Sequence, residues 1–285
     1  MEELKQVTAK DTIKIDPLFF EQKDNTTIAW LASAGFLINS QGTIILIDPV
    51  LMTKAEDDEI SEAGLKLKIP YPIKATEVPK VDYVLYSHPD NDHLGEDTAV
   101  VLAKLNPTFI GPHTVFNKLS YLGVNPNNII TCRTYDTIEI GDIKIEITSA
   151  DHPWQLSDPK TKGKPFRKED CCGFIITTID GRYYFPGDTR LMEEHLYIKD
   201  IDVLALDVSL DNYHLKDGAV VLANHLQNAL LIPVHYGTYS APGKAAHAGD
   251  PNDVLSKVDN SERRSRILAP GEPLIMKNKK EVIRK

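Results

Sequence analysis

Residues 81–93 read VDYVLYSHPDNDH, an apolar run that ends in four side chains able to hold a metal ion: His88, Asp90, Asp92 and His93. VDYVLYS (81–87) has the composition of a buried strand. Imidazole and carboxylate are the donors that intermediate divalent metals take. His88 and Asp90 stand two apart, so an extended backbone turns both to one side. Asp92 and His93 then turn toward a different point as the chain enters the next helix. One short loop of this kind feeds two adjacent ions.

Working outward, the same arrangement recurs. His152 follows IKIEITSAD, Asp188 follows RYYFPG and His235 follows ALLIPV, each an apolar strand-like run. Strand ends along one edge of a sheet converge in space, and the irregular loops there carry function. Of the nine histidines, four (His88, His93, His152 and His235) fall in such places, which chance explains poorly. The pattern therefore points to a two-metal centre.

The rest of the chain supplies the frame. Residues 26–30, 34–39 and 43–48 are short β-type runs with a turn at Ser40-Gln41-Gly42, and Asp180-Gly181 marks a second hairpin. Helical spacing appears at 97–105, 113–121, 215–227 and 251–258. Residues 51–80, charged and carrying Pro70, Pro72 and Pro79, read as a lid-like excursion outside the core. The chain shows no repeat at solenoid spacing and no clear linker, so it reads as one domain over 1–285 with its core at about 26–276.

The 285 residues are 42% apolar, enough for a sizeable core. Lys plus Arg is 32 against Asp plus Glu 41, a formal charge of −9, which argues against a nucleic-acid partner. No apolar run is long enough for a membrane span, and the polar start MEELKQVTAK has no signal core. Three cysteines make no disulfide framework, so a soluble cytoplasmic protein with reduced thiols is expected; Cys171 and Cys172 read as the start of a buried strand. The expected partner is a small molecule, and a homo-oligomer is compatible with the sequence. A denser basic segment at 160–168 reads as a solvated loop by base rate, although it also motivates an anionic substrate.

The metal-type residues together resemble the metallo-β-lactamase superfamily. Its usual H-x-H-x-D-H after a strand, lone His, Gly-Asp pair and final His correspond to His88, Asp90, Asp92 and His93, then His152, Gly187-Asp188 and His235. WLASAGFLINSQGTIILIDPVL (30–51) resembles the family's first hairpin and Asp-Pro turn. IPVHYGTYS (232–240) resembles the branch of L-ascorbate-6-phosphate lactonase-like proteins.

The resemblance implies an α+β fold, a four-layer αβ/βα sandwich with metals at one edge of the paired sheets. It implies that His88, Asp90 and His152 hold one ion, that Asp92, His93 and His235 hold the other, and that Asp188 bridges them. Asp48, in the Asp-Pro turn, is expected to orient a ligand histidine from behind. His214 precedes the helix LKDGAVVLANHLQ, where several relatives place an active-site histidine, and is a candidate proton donor. Trp154 sits where relatives have a substrate loop. Arg190, Tyr236 and Tyr239 follow ligands closely and are either substrate contacts or rim residues. His225 reads as structural, and His113, His195 and His247 have no pattern behind them.

One departure matters. The motif's second histidine is Asp90 here, so three carboxylates face two divalent ions and leave about +1 formally rather than about +2. Such a site acidifies water less than an imidazole-rich one and favours harder ions, so Mn or Zn is expected and Fe is compatible. Ser33, where many relatives have His, is a milder departure and puts no metal ligand in doubt.

The function expected from these residues is metal-dependent hydrolysis with a dinuclear centre, opening a lactone or cleaving a phosphate ester of a small anionic metabolite. Asp92 and Asp188 would position the nucleophile. A di-iron oxidoreductase handling oxygen and a non-catalytic metal-binding protein remain the alternatives.

Overall fold

The computed structural model describes residues 4, 6–154, 164 and 166–283. The first half of the chain forms β1 (Thr26–Ala32), β2 (Gly35–Ser40), β3 (Thr43–Ile47), β4 (Thr53–Lys54), β5 (Asp57–Ser61), β6 (Lys66–Leu67), β7 (Tyr83–Leu85), β8 (Thr108–Gly111), β9 (Ile129–Thr131) and β10 (Thr137–Ile140). The second half forms β11 (Ile143–Ser149), β12 (Cys172–Thr178), β13 (Gly181–Phe185), β14 (Val203–Asp207), β15 (Leu230–Val234), β16 (Tyr239–Ser240), β17 (Pro273–Lys277) and β18 (Lys280–Glu281). Helices include α1 (Glu96–Ala103), α2 (His113–Tyr121) and α3 (Gly218–His225). One mixed sheet has the order β18-β17-β1-β2-β3-β7-β8-β9, and the other has the order β10-β11-β12-β13-β14-β15. A small sheet, β16-β6-β5-β4, lies beside them.

Period-two patterning explains why the first sheet is covered on both faces. Ile28, Trp30 and Phe36 belong to one apolar cluster, with Phe174 and Ile176 of the second sheet. Their strand neighbours Ala29, Leu31 and Leu37 belong to another, with Leu102 of α1 and Leu119 of α2. On the far side, Leu222 of α3 joins the cluster built on the second sheet. The layers therefore run helix, sheet, sheet, helix: two mixed sheets with flanking helices, as the sequence led us to expect. No helix among the described residues is long and apolar enough to cross a membrane. All three cysteines are buried and free, and Cys172 opens β12.

Strand direction places the site. β3 and β7 are parallel. β11 and β13 both pair antiparallel with β12, and β13, β14 and β15 pair parallel in turn. The carboxyl ends of β11, β13, β14 and β15 therefore open on one edge of their sheet. His152, Asp188, Asp207 and His235 stand at or just beyond those ends.

The segment 51–80 needs correction. It is not an excursion outside the core, because Ile73, Ala75 and Val78 are buried in the cluster that holds α1. The Glu62 carboxylate also accepts from the Thr98 N–H at 3.0 Å and the Met52 N–H at 3.1 Å, tying the segment to the first turn of α1. Burial raises the pKa of this carboxyl, against those hydrogen bonds. The helix read at 215–227 is shorter, at Gly218–His225. Near the C-terminus, β17 turns back as β18, with Met276 paired to Glu281 and Lys277 to Lys280.

Candidate metal centre

The site begins with backbone in uncommon conformations. Asp48 (φ 44°) and His235 (φ 61°) are left-handed non-glycine residues directly after β3 and β15. Each such residue costs on the order of 1 kcal/mol or more and persists where surrounding structure holds it, most often at functional sites. Gly187 (φ 66°) precedes Asp188, and a Cβ there would lie 2.9 Å from Ser87 Cβ and 2.8 Å from Cys172 O. Only glycine lets β13 bring Asp188 this close to the loop after β7.

Asp48 organises that loop. Its Oδ1 accepts from the Ser87 N–H at 2.7 Å, and its Oδ2 accepts from the Ser87 hydroxyl at 2.6 Å. Asp48 Oδ2 also lies 2.9 Å from His93 Nδ1. A carboxylate only accepts, so His93 carries its proton on Nδ1 and a lone pair on Nε2. The Ser87 hydroxyl gives its proton to Asp48, so it accepts from His88 Nδ1 at 3.0 Å. His152 Nδ1 donates to Tyr213 O at 2.9 Å. His214 Nδ1 donates to Asp207 Oδ2 at 2.7 Å. Four histidines are thus held in one tautomer, each with a bare Nε2.

Those nitrogens converge on Asp188. Its Oδ1 is 3.1 Å from His93 Nε2 and 2.9 Å from His235 Nε2. Its Oδ2 is 3.4 Å from His214 Nε2, 3.7 Å from His152 Nε2 and 3.9 Å from His88 Nε2. Asp90 Oδ2 faces His88 Nε2 at 3.4 Å and His152 Nε2 at 3.6 Å. His93 Nε2 and His235 Nε2 are 3.0 Å apart. Lone pairs facing lone pairs repel unless a cation lies between them.

Among the described residues, three groups have ligand atoms close enough for one ion: His88, His152 and Asp188; Asp92, His93 and His235; and Asp188, His214 and His235. His88 Nε2, Asp188 Oδ1 and His235 Nδ1 are buried without a hydrogen bond among the described residues. The donor set of imidazoles and carboxylates fits divalent metal ions.

The charge balance agrees. Burial pushes the Asp188 carboxyl up, but the His214, His235 and His93 imidazoles outweigh it and hold it well below the usual carboxylate range. Burial likewise lowers His235, yet Asp188 lifts it to about 9. His93 is raised well above its ordinary value despite its burial, by Asp188 and Asp48. Without a metal, protons take the place of positive charge that the cluster demands.

A cavity of about 660 Å³ opens onto this cluster, lined in part by Asp90, Asp92, His152, Asp188 and His214. Trp154 lines it too. The other expected substrate contacts lie elsewhere. Arg190 pairs with Asp151, Nε to Oδ2 at 3.1 Å, and does not line the cavity. Tyr236 is stacked on Trp30 at 5.3 Å in the core. Tyr239 is buried behind His247, with its hydroxyl 3.1 Å from that of Tyr71. Of the basic segment, Lys160 and Lys162 lie outside the described residues, and Lys164, Arg167 and Lys168 are exposed.

Two residues escaped the sequence reading. Asp207 ends the apolar run VLALD, the same signal that marked His152, Asp188 and His235. His247 lines the cavity with Nε2 3.9 Å from Asp92 Oδ2 and its ring stacked on His235, yet nothing around it in sequence announces this. Burial lowers its pKa to about 4. His225 is structural, its Nε2 donating to Ile198 O at 2.8 Å.

Comparison with known proteins adds relatives to this geometry. A family model described as a β-lactamase superfamily domain matches residues 43–236. The chain is 28% identical over 243 residues to a UPF0173 metal-dependent hydrolase of Bacillus thuringiensis (strain Al Hakam), covering 84% of this chain and 95% of the relative. Among solved structures it resembles Igni18, a metallo hydrolase from the archaeon Ignicoccus hospitalis, with a TM-score of 0.63 at 21% identity over 88% of this chain and 98% of that one. It also resembles an isothiocyanate hydrolase from Delia radicum gut bacteria, with a TM-score of 0.65 at 17% identity over 87% and 98% of the two chains. At such identities the structural likeness speaks for the fold.

Proposed function

The chain belongs to the metallo-β-lactamase superfamily, and on that premise we propose that it is a metal-dependent hydrolase with a dinuclear centre. The observation that carries this reading is the Asp188 carboxylate. Its two oxygens are faced by separate sets of imidazoles whose protons are held elsewhere, His93 with Asp48 on one side and His152 and His214 with their own acceptors on the other. His88, Asp90 and His152 would hold one ion; Asp92, His93 and His235 would hold the other; Asp188 would touch both. The mixed nitrogen and oxygen donors suit Mn or Zn, and Fe is compatible. When bound, such ions supply Lewis acidity and make water a stronger nucleophile near neutral pH.

The chain's own residues do the rest. Asp92 and Asp188 orient the attacking water. His214, with Nδ1 anchored on Asp207, presents a bare Nε2 to the cavity; it takes up a proton there and returns it to the leaving group. Trp154 supplies an aromatic wall to the cavity. The substrate reading is a lactone or a phosphate ester of a small anionic metabolite, as in the L-ascorbate-6-phosphate lactonase-like branch.

The test starts from protein purified without added metal. Mn, Fe and Zn are measured, and lactones and phosphoesters are screened with each ion restored. Asp188→Ala and His235→Ala are expected to lose bound metal and turnover together. Unchanged metal content in both variants would defeat the assignment.

A further inference from the structure

The cavity is larger than a small polar metabolite requires, and part of its wall is apolar. Its described lining away from the reacting cluster includes Ala63, Leu65, Trp154, Tyr213 and Ala245. Cavities of this size and composition bury ligands with a substantial apolar body. Of the carboxylates in the described lining, Asp90, Asp92 and Asp188 belong to the metal centre, and Asp211 Oδ1 accepts from the Tyr213 N–H at 2.9 Å.

Among the described lining residues, Lys244 is the only Lys or Arg. It is exposed, and among the described residues no carboxylate pairs with its ammonium. Its position is held by backbone. The Lys244 N–H donates to Ala241 O at 3.1 Å, and the His247 N–H donates to Lys244 O at 3.3 Å. Next to it, Ala245 O accepts from the Leu210 N–H at 3.2 Å and from the Ser209 hydroxyl at 3.4 Å. Leu210 and Ser209 directly continue β14, whose Asp207 holds His214. Lys244 is thus tied to the same chain segment as the proton-handling histidine, yet stands outside the metal centre.

We infer that Lys244, on the wall outside the metal centre, binds the anionic end of a substrate whose body is apolar, with the scissile bond at the metal centre. This rests on the hydrolase reading and narrows its substrate class from small anionic metabolites to amphiphilic esters or lactones with one anionic terminus. A compact polar substrate leaves the apolar walls uncovered, and a neutral one forgoes the ion pair that Lys244 offers.

The test uses the Mn-restored protein and two esters of equal length, p-nitrophenyl hexanoate and mono-p-nitrophenyl adipate, which differ by a terminal carboxylate. The parent protein is expected to favour the adipate ester by about two- to fivefold in kcat/KM, through KM. In Lys244→Ala the ratio between the two esters falls to about one, and in Lys244→Arg the preference survives. Binding of hexane-1-sulfonate, measured by calorimetry against hexan-1-ol, gives a readout independent of turnover and weakens about two- to fivefold in Lys244→Ala, with hexan-1-ol as reference. A preference and a sulfonate affinity that both ignore Lys244 overturn the inference. If neither ester is turned over but sulfonate binding depends on Lys244, the hydrolase reading fails and the anion subsite stands.

Discussion

Replacing Asp48 by Asn tests the tautomer argument on which the metal centre depends. The carboxylate accepts from Ser87 N–H at 2.7 Å, Ser87 Oγ at 2.6 Å and His93 Nδ1 at 2.9 Å. Asparagine keeps the shape but turns one oxygen into an NH₂ donor. With its NH₂ toward His93, two donors confront a third, and relief comes when His93 moves its proton to Nε2. That proton then points at Asp188 Oδ1 and His235 Nε2, where a lone pair is needed. The opposite amide orientation spares His93 but sets the NH₂ against the Ser87 N–H. Hydrogen bonds to charged groups contribute about 1.5–3 kcal/mol each. Loss of such a partner behind a ligand histidine weakens metal binding roughly 10–100-fold, or about 1.4–2.7 kcal/mol. Equilibrium dialysis against graded Mn²⁺ or Zn²⁺, followed by elemental analysis, is the assay. One ion is expected to stay tight and the other, on the His93 side, to weaken by that factor, while thermal unfolding of the loaded protein shows that the fold persists. If both affinities stay within about twofold of the parent, the tautomer argument is wrong.

Two other predictions concern protons. His214→Ala is expected to lower kcat by about 10²–10⁴-fold while retaining both ions, and Asp207→Asn to shift the pH profile of kcat, because His214 acts through a proton held by Asp207; loss of metal in His214→Ala would instead make it a ligand. Stripping the metal should make stability depend on pH in a defined direction. His235, raised to about 9, stabilises the metal-free fold below its ordinary pKa of 6.5, and that contribution disappears as pH rises through about 9. Asp188, held low, contributes above its ordinary 3.8 and is lost as pH falls through its depressed value. Below pH 6.5 the protonation of His247, held down to about 4, works against the fold, so the diagnostic range is the alkaline one: metal-free protein should melt earlier as pH rises from 6.5 toward 9. A thermal midpoint that does not fall over that alkaline range would contradict the reading.

Much of the fold was legible because long apolar strands carry a strong period-two signal, and β11 (143–149) and α2 (113–121) fall where the pattern put them. The short strands β8, β9 and β10 were not, because three or four residues hold too little pattern and their order comes from neighbours. The rule that ligand-type residues follow apolar strands found His152, Asp188 and His235, and applied to VLALD it would also have found Asp207. Nearness in sequence to a ligand was a poor guide to the cavity. Tyr236 follows His235, but the left-handed turn at His235 sends its ring into the core against Trp30. His247 is brought to the cavity by a loop whose path depends on hydrogen bonds to Ser209 and Leu210, which no local pattern encodes.

The Ala245 carbonyl, hung from Leu210 and Ser209, has a consequence for divergence. The imidazoles stand on rigid strand termini, whereas the wall carrying Lys244 is a loop attached through main-chain groups that any amino acid supplies. Side chains along 244–246 can therefore be exchanged with little disturbance to the inorganic core. Descendants of this chain would be free to drift in what they recognise while keeping the reaction they perform.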